Sequence, residues 1–169
     1  MTDAAGETIV LNETGNGPFQ VQAKAASGTF LIDEPAAAGG MGSGPNPYDL
    51  LSAAIGACSL MTVRLYARRR QLPLERIEVK VTHHRDNLKD KDRFVREIQL
   101  TGPLDPAQRA KLLEIAMRCP VHMTMERGSE VETILLPPET KVGAPTNRCE
   151  HARDSCEHAR DMSEACDDG

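Results

Sequence analysis

Two cysteines, Cys58 and Cys119, lie in the patterned part of the chain and are its best candidates for chemistry. A thiolate is a strong nucleophile, and its sulfur can pass through sulfenic acid and disulfide states. Cys58 stands among alanines and Ile55 in a long apolar run, where a cysteine can equally serve as a small hydrophobe. Cys119 precedes Pro120, where a helix should end. His122 follows three residues on and reads equally well as a packing residue or a proton carrier. His83 and His84 are adjacent in an extended run, so they face opposite ways and form no joint metal site. The other three cysteines fall near the C-terminus, within or after a seven-residue repeat that begins at Cys149 and again at Cys156. Cys149, His151, Cys156 and His158 sit close together there, but in no familiar zinc spacing. No metal or other cofactor is expected.

The elements that must hold the two cysteines can be read from periodicity. The run Thr8-Ile9-Val10-Leu11, the alternating Phe19-Gln20-Val21-Gln22-Ala23 and Thr29-Phe30-Leu31-Ile32 suit strands. Gly15-Asn16-Gly17-Pro18 and Ser27-Gly28 supply the turns of an antiparallel meander. A Gly- and Pro-rich loop follows, and Asn46-Pro47 reads as N-cap and first residue of a helix over 48–70. No charge occurs between Asp49 and Arg64, so this helix should be buried on most faces. Arg68-Arg69-Arg70 then suits a solvated C-terminal turn. Strands are predicted over 77–82 and 94–100, joined by a charged hairpin loop. Asp105-Pro106 should cap a second helix over 107–118, ended by Cys119-Pro120, and Val131-Glu132-Thr133-Ile134-Leu135-Leu136 reads as a last strand. The fold class is therefore α+β, with antiparallel sheet around a long central helix. Residues 1–136 form one domain in this reading, and 137–169 a mobile acidic tail with too few apolar residues to fold.

Composition narrows the function. The chain has 169 residues, no Trp and only 3% aromatics, so aliphatic residues must fill the core and association with a second chain would add burial. The net charge is −5; four basic and eight acidic residues follow residue 136, leaving −1 for the rest. No basic footprint for nucleic acid exists at that balance. No secretory signal and no stretch of about 18 apolar residues is visible, so a cytoplasmic location without membrane contact is expected. In that compartment cysteines stay mostly reduced and disulfides are transient or catalytic.

Two separated motifs carry a family resemblance. Gly44-Pro45-Asn46-Pro47-Tyr48-Asp49-Leu50-Leu51, followed by Ala53-Ala54-Ile55-Gly56-Ala57-Cys58, resembles the central helix of the osmotically inducible protein C (OsmC) and organic hydroperoxide resistance family. Arg118-Cys119-Pro120-Val121-His122 resembles its second cysteine motif, and Asp33-Glu34-Pro35 with Gly39-Gly40 resembles its preceding loop. The resemblance runs from about residue 19 to residue 136. It implies an intertwined homodimer with sheets wrapped around two central helices. It also implies a thiol peroxidase acting on organic hydroperoxides or hydrogen peroxide in oxidative stress defence. Cys58 would attack, Cys119 would resolve the sulfenic acid as a disulfide, and an external dithiol reductant would reopen it. The hydroperoxide reductase branch adds an N-terminal arginine and a helix glutamate, and this chain departs from both. No arginine precedes Arg64, and Tyr48 occupies the glutamate position. Asp49, one place along and about 100° around the helix, is the available carboxylate, for catalysis or for the helix dipole. Arg118, Arg127, His122 or the partner subunit could supply the cation. The alternative is a non-catalytic member of this fold that binds an apolar small molecule at the dimer interface.

Overall fold

Alternation and turn chemistry build the N-terminal strands seen in the computed structural model, which describes residues 8–138 and Gly143. The chain divides into two compact units, one holding residues 8–50 and 130–138, the other Leu51–Ser129. In the first, β1 (Val10–Glu13), β2 (Val21–Ala25) and β3 (Gly28–Ile32) form an antiparallel meander in that order. Val21 pairs with both Glu13 and Ile32. The β1–β2 connection is longer than the four-residue turn read from the sequence. The Thr14 hydroxyl donates to the Gln20 side-chain oxygen at 2.7 Å and holds residues 14–20 out of the ladder. Gly15 and Gly17 take φ of 76° and 84° there, a region that favours glycine.

Asp33 organises the loop that leads into the long helix. Only 2% exposed, it accepts from the backbone N–H groups of Glu34, Met41 and Ser43 and from the Ser43 hydroxyl, at 2.8 to 3.1 Å. The Ser43 N–H is the largest influence holding its pKa below the usual 3.8, helped by the Ser43 hydroxyl and the other two N–H groups and opposed by burial. A carboxylate with a depressed folded pKa stabilises above its unfolded value and loses that contribution as pH falls through the folded value. Urea unfolding of wild type should therefore show stability declining below about pH 4, with a shallower decline in Asp33→Asn. Equal acid slopes in the two proteins would contradict this.

The second unit contains the sites of both core cysteines. Helix α1 (Pro47–Arg69) starts in the first unit and runs through the second. It is followed by the hairpin β4 (Arg76–His84) and β5 (Arg93–Thr101), then α2 (Pro106–Met117) and α3 (Pro120–Arg127). Asp105 and Gln108 form a reciprocal capping box that fixes the start of α2. The hairpin register sets Ile77 opposite Leu100, Val79 opposite Ile98 and Val81 opposite Arg96. These positions make one face of the pleat. Ile77 joins Val63, Tyr66, Ala67, Leu112, Ile115 and Ala116 in the core, with Val79, Ile98 and Leu100 packed against it. At Gly56 a Cβ would lie 3.0 Å from the Val81 side chain, so the missing methyl lets α1 settle on β4.

Three sequence expectations change. The chain continues past Cys119 into α3, because Pro120 stands in the first helical turn, where the N–H that proline lacks would have no intrahelical partner. Val131-Glu132-Thr133-Ile134-Leu135-Leu136 forms no strand. Among the described residues none pairs with it, and Val131 and Leu135 are 86% and 95% exposed. Patterning alone cannot make a strand without a ladder partner. The long helix is buried along one stripe rather than most faces: Ile55, Cys58, Ser59, Thr62, Val63, Tyr66 and Ala67 are covered, while Ala53, Ala54, Ala57 and Met61 are exposed. Its length and apolarity would suit a membrane span, but its stripe is packed in the core, so α1 is a core helix. The tail repeat with its cysteines and histidines lies outside the described residues.

A candidate dithiol site

The buried stripe of α1 follows the 3.6-residue repeat, and that repeat turns Cys58 and Ser59 inward together, one turn after Ile55. Cys119 comes to meet them from the junction of α2 and α3. It is the N-cap of α3, and its sulfur accepts the His122 N–H at 3.4 Å. Cys58 and Cys119 are 3% and 0% exposed and both reduced, and the Cys58 sulfur accepts the Val121 N–H at 3.5 Å, so both thiols meet the first turn of α3. The two cysteines named from the sequence are thus brought into one site, 61 positions apart in the chain.

A cation completes the site, and it is not one of those anticipated. Arg96 stands on the inward face of β5 between Phe94 and Ile98. Its Nη1 donates to the Ser59 hydroxyl and, at 3.1 Å, to the Ala116 carbonyl. Its Nη2 lies 3.0 Å from His122 Nδ1. Arginine can only donate, so this Nδ1 is an acceptor. His122 is then an uncharged imidazole in this contact, with Nε2 directed at Glu126 Oε2, 3.4 Å away. Ser59 Oγ also sits 2.7 Å from the Ile55 carbonyl and 3.4 Å from Cys119 Sγ. Arg118 instead pairs with Glu114 at 2.9 Å, and Arg127 occupies the exposed last turn of α3. The sequence signal for Arg96 was available: in Phe94-Val95-Arg96-Glu97-Ile98-Gln99-Leu100 it takes a core-facing place in the alternation, where a charge demands a partner. Ser59 carried no comparable signal.

The surroundings treat the two sulfurs differently. The Cys58 hydrogen bond is the largest influence lowering the Cys119 pKa, joined by the Ser59 hydroxyl, the His122 N–H and the Arg96 charge, with burial opposing. Cys58 is driven the other way, first by its neighbour Cys119 and then by burial; the Val121 N–H at 3.5 Å and the Thr62 hydroxyl oppose this only in part. The Cys119 thiol is thus lowered and the Cys58 thiol raised, each chiefly by the other. Asp49 is placed elsewhere. It lies in the first turn of α1, two and a half turns before Cys58, where its carboxylate accepts from the Asn46 N–H at 3.0 Å while Asn46 Oδ1 accepts from the Asp49 N–H.

Beside this network is a cavity of about 740 Å³, within the range of small-molecule sites. Leu51, Ile55, Phe94 and Met125 give it apolar walls, Lys91 and Arg93 add cations, and His122 and Glu126 connect it to the Arg96 cluster.

Comparison with known proteins agrees with this arrangement at the level of fold. A family model described as OsmC-like protein matches residues 40–134. An OsmC-like protein from Mycoplasma pneumoniae is 22% identical, with a TM-score of 0.59, and the match covers 75% of this chain and 89% of that one. An organic hydroperoxide resistance protein OsmC from Legionella pneumophila is 23% identical, with a TM-score of 0.54 over 72% and 91%. The organic hydroperoxide resistance protein OhrB of Bacillus subtilis is 21% identical, with a TM-score of 0.50 over 71% and 90%. The comparison with curated proteins found no match.

Proposed function

This chain belongs to the OsmC-like protein family, and we propose that it reduces organic hydroperoxides or hydrogen peroxide through its Cys58/Cys119 dithiol, as part of oxidative stress defence. The observation that carries the reading is the convergence of two reduced, buried thiols at the first turn of α3, beside the Ser59 hydroxyl that Arg96 anchors. One thiol of such a pair can be oxidised while the other stands ready to close a disulfide. The Legionella and Bacillus neighbours, named for organic hydroperoxide resistance, support peroxide as the substrate class. The apolar wall of the adjacent cavity, formed by Leu51, Ile55, Phe94 and Met125, suits the organic part of a hydroperoxide. An external dithiol would return the disulfide to two thiols by exchange.

In this proposal the working unit is a cytoplasmic homodimer. The open face of α1 with Ala53, Ala54, Ala57 and Met61, and the bare apolar residues at 131–136, are surfaces a second copy would cover. Asp49 contributes by fixing the start of α1 through its exchange with Asn46. A second reading, binding of an apolar small molecule without turnover, is favoured by one observation: neither buried cysteine lines the cavity, which is large enough for a ligand.

Peptide mass spectrometry after one equivalent of cumene hydroperoxide separates the two. Turnover requires a Cys58–Cys119 disulfide in the wild type, formed within the time of peroxide loss. Persistence of both thiols in folded protein would sink the peroxidase reading and leave ligand binding.

A further inference from the structure

We propose that the His122 ring is a hydrogen-bond donor to the leaving oxygen of the hydroperoxide, with Arg96 as the positioning residue that holds it in the tautomer this requires. The chemistry rests on the peroxidase reading; the donor itself rests on geometry. Ile55 and His122 line the cavity and also hydrogen-bond into the network around the cysteines. Ile55 does so only through its carbonyl, which accepts from the Ser59 hydroxyl at 2.7 Å. His122 does so on two sides. Its backbone N–H meets Cys119 Sγ at 3.4 Å, while its ring reaches Arg96 and forms part of the cavity wall.

Arg96 decides which ring nitrogen carries the proton. Its Nη2 donates to Nδ1 at 3.0 Å, and a guanidinium has no lone pair to offer in return. Nδ1 is therefore bare, and the proton of the neutral ring sits on Nε2. The guanidinium is itself fixed by the Ser59 hydroxyl and the Ala116 carbonyl, so the ring meets a rigid donor. A cation on Nδ1 draws density across the ring and makes the Nε2–H a stronger donor. A neutral imidazole so placed can polarise a substrate oxygen. In the free protein this N–H has a poor acceptor. Glu126 Oε2 is 3.4 Å away on a side chain 71% exposed, longer than an ordinary hydrogen bond and free to turn into water. An oxygen carried into the cavity would take its place, with the attached apolar group on Leu51, Ile55, Phe94 and Met125. Of the other polar wall residues, Asp92 is engaged by His83 at 2.7 Å, and Lys91 and Arg93 stand exposed at the hairpin end.

The steps balance. The attacking thiolate of the pair takes the terminal peroxide oxygen, an S–O bond forms and the O–O bond breaks. The electron pair leaves on the oxygen that bears the organic group, and sulfur becomes a sulfenic acid, oxidised by two electrons. Negative charge grows on the leaving oxygen, where the Nε2–H donates. That alkoxide takes up the proton the first thiol released and becomes the alcohol. The second thiol attacks the sulfenic sulfur, and its proton leaves with the hydroxyl as water. The sum is two thiols and one hydroperoxide giving a disulfide, an alcohol and water. A donor at the leaving oxygen matters in proportion to the basicity of that oxygen. Cumene hydroperoxide must expel a strongly basic alkoxide, whereas peracetic acid expels a weakly basic carboxylate and needs little help.

Two substitutions separate the donor from the acceptor. His122→Asn keeps an acceptor for Arg96 where Nδ1 stood but loses the Nε2 donor, whereas His122→Gln places an amide N–H near the Nε2 position. The rate of Cys58–Cys119 disulfide formation is read in the full chain by peptide mass spectrometry after rapid quenching, in a single turnover. With cumene hydroperoxide, His122→Asn should be slower than wild type by about a hundredfold, and His122→Gln should recover part of the loss. With peracetic acid the His122→Asn loss should be far smaller. A merely structural role would slow both oxidants alike, with His122→Gln no better than His122→Asn. Proton–nitrogen correlation spectra of the histidine rings supply a readout that needs no turnover. The His122 signals, assigned by their loss in His122→Asn, should show the proton on Nε2, and the inert product cumyl alcohol should shift the Nε2 resonance. Arg96→Met should spread the proton over both nitrogens, and Arg96→Lys should restore the Nε2 form. A proton on Nδ1, an Nε2 signal unmoved by cumyl alcohol, or equal slowing with both oxidants would each overturn the donor role. A wild type that forms no disulfide with either oxidant would remove the peroxidase reading, and the alcohol shift would still decide whether His122 is the donor of the cavity.

Discussion

Hydroperoxide turnover by Cys119→Ser protein, assayed with an external dithiol, is expected to fall to the background of the dithiol alone. Serine fits the space left by the thiol, so the fold should persist with an unchanged circular dichroism spectrum. Its hydroxyl cannot attack an O–O bond or close a disulfide. Cys58 would remain, buried and without a second sulfur beside it. Any sulfenic acid it formed would have no resolving thiol and would drift to the irreversible sulfinic state. Full steady-state turnover by Cys119→Ser would show that the second sulfur has no part in the cycle.

Leu112→Ala is expected to lower stability by about 2–5 kcal/mol. Leu112 on α2 is completely buried among Val63, Tyr66, Ile77 and Ile115. Truncation removes three carbons and leaves a cavity that this core cannot close by moving large rings, since Tyr66 is the one aromatic in the cluster. Domains are stable by only about 5–15 kcal/mol, so the loss is a large fraction of the total. At about 2–4 °C per kcal/mol for a chain of this size, the melting temperature should drop by about 4–20 °C. A change under about 1 kcal/mol would mean that α2 packs more loosely than its burial indicates.

The parts of the fold that were legible in the sequence are those whose signals are local. The start of α1 is written in Asn46-Pro47, and the observed helix begins at Pro47. Asp105-Pro106 specified the start of α2, and the structure shows the capping box there. The alternations around Ile77 and Phe94 gave the hairpin, with both strands extending a residue or more beyond the predicted ends. The segment after Leu51-Ser129 failed for a non-local reason. Residues 131–136 alternate well enough, but a strand exists only if another backbone is beside it. Helix α3 is hidden because Pro120 reads as the stop of α2, whereas it is also the start of the next helix, as Pro47 and Pro106 are of theirs.

The candidate site divides in the same way. Both cysteines could be named, because their motifs are contiguous. Their meeting at the start of α3 could not be read from spacing, since it depends on how α1 meets the α2–α3 junction. Arg96 shows the difference most clearly. The cations nearest Cys119 in sequence are Arg118, His122 and Arg127, yet the arginine that joins the site comes from the middle of a strand. A charge at a core-facing strand position, between Phe94 and Ile98, was the clue.

The bare run Val131-Glu132-Thr133-Ile134-Leu135-Leu136 has a consequence for the life of the newly made chain. Six residues of high β-propensity with a single charge are the composition of a cross-β seed. Until something covers it, each monomer offers its neighbours a sticky, hydrogen-bond-hungry edge. Pro137 and Pro138 follow at once, and neither can donate to a growing ladder. They limit any stack to six residues and act as gatekeepers against fibril growth. Replacing both by threonine should leave the dithiol untouched and speed aggregation, read as thioflavin fluorescence during refolding at high protein concentration.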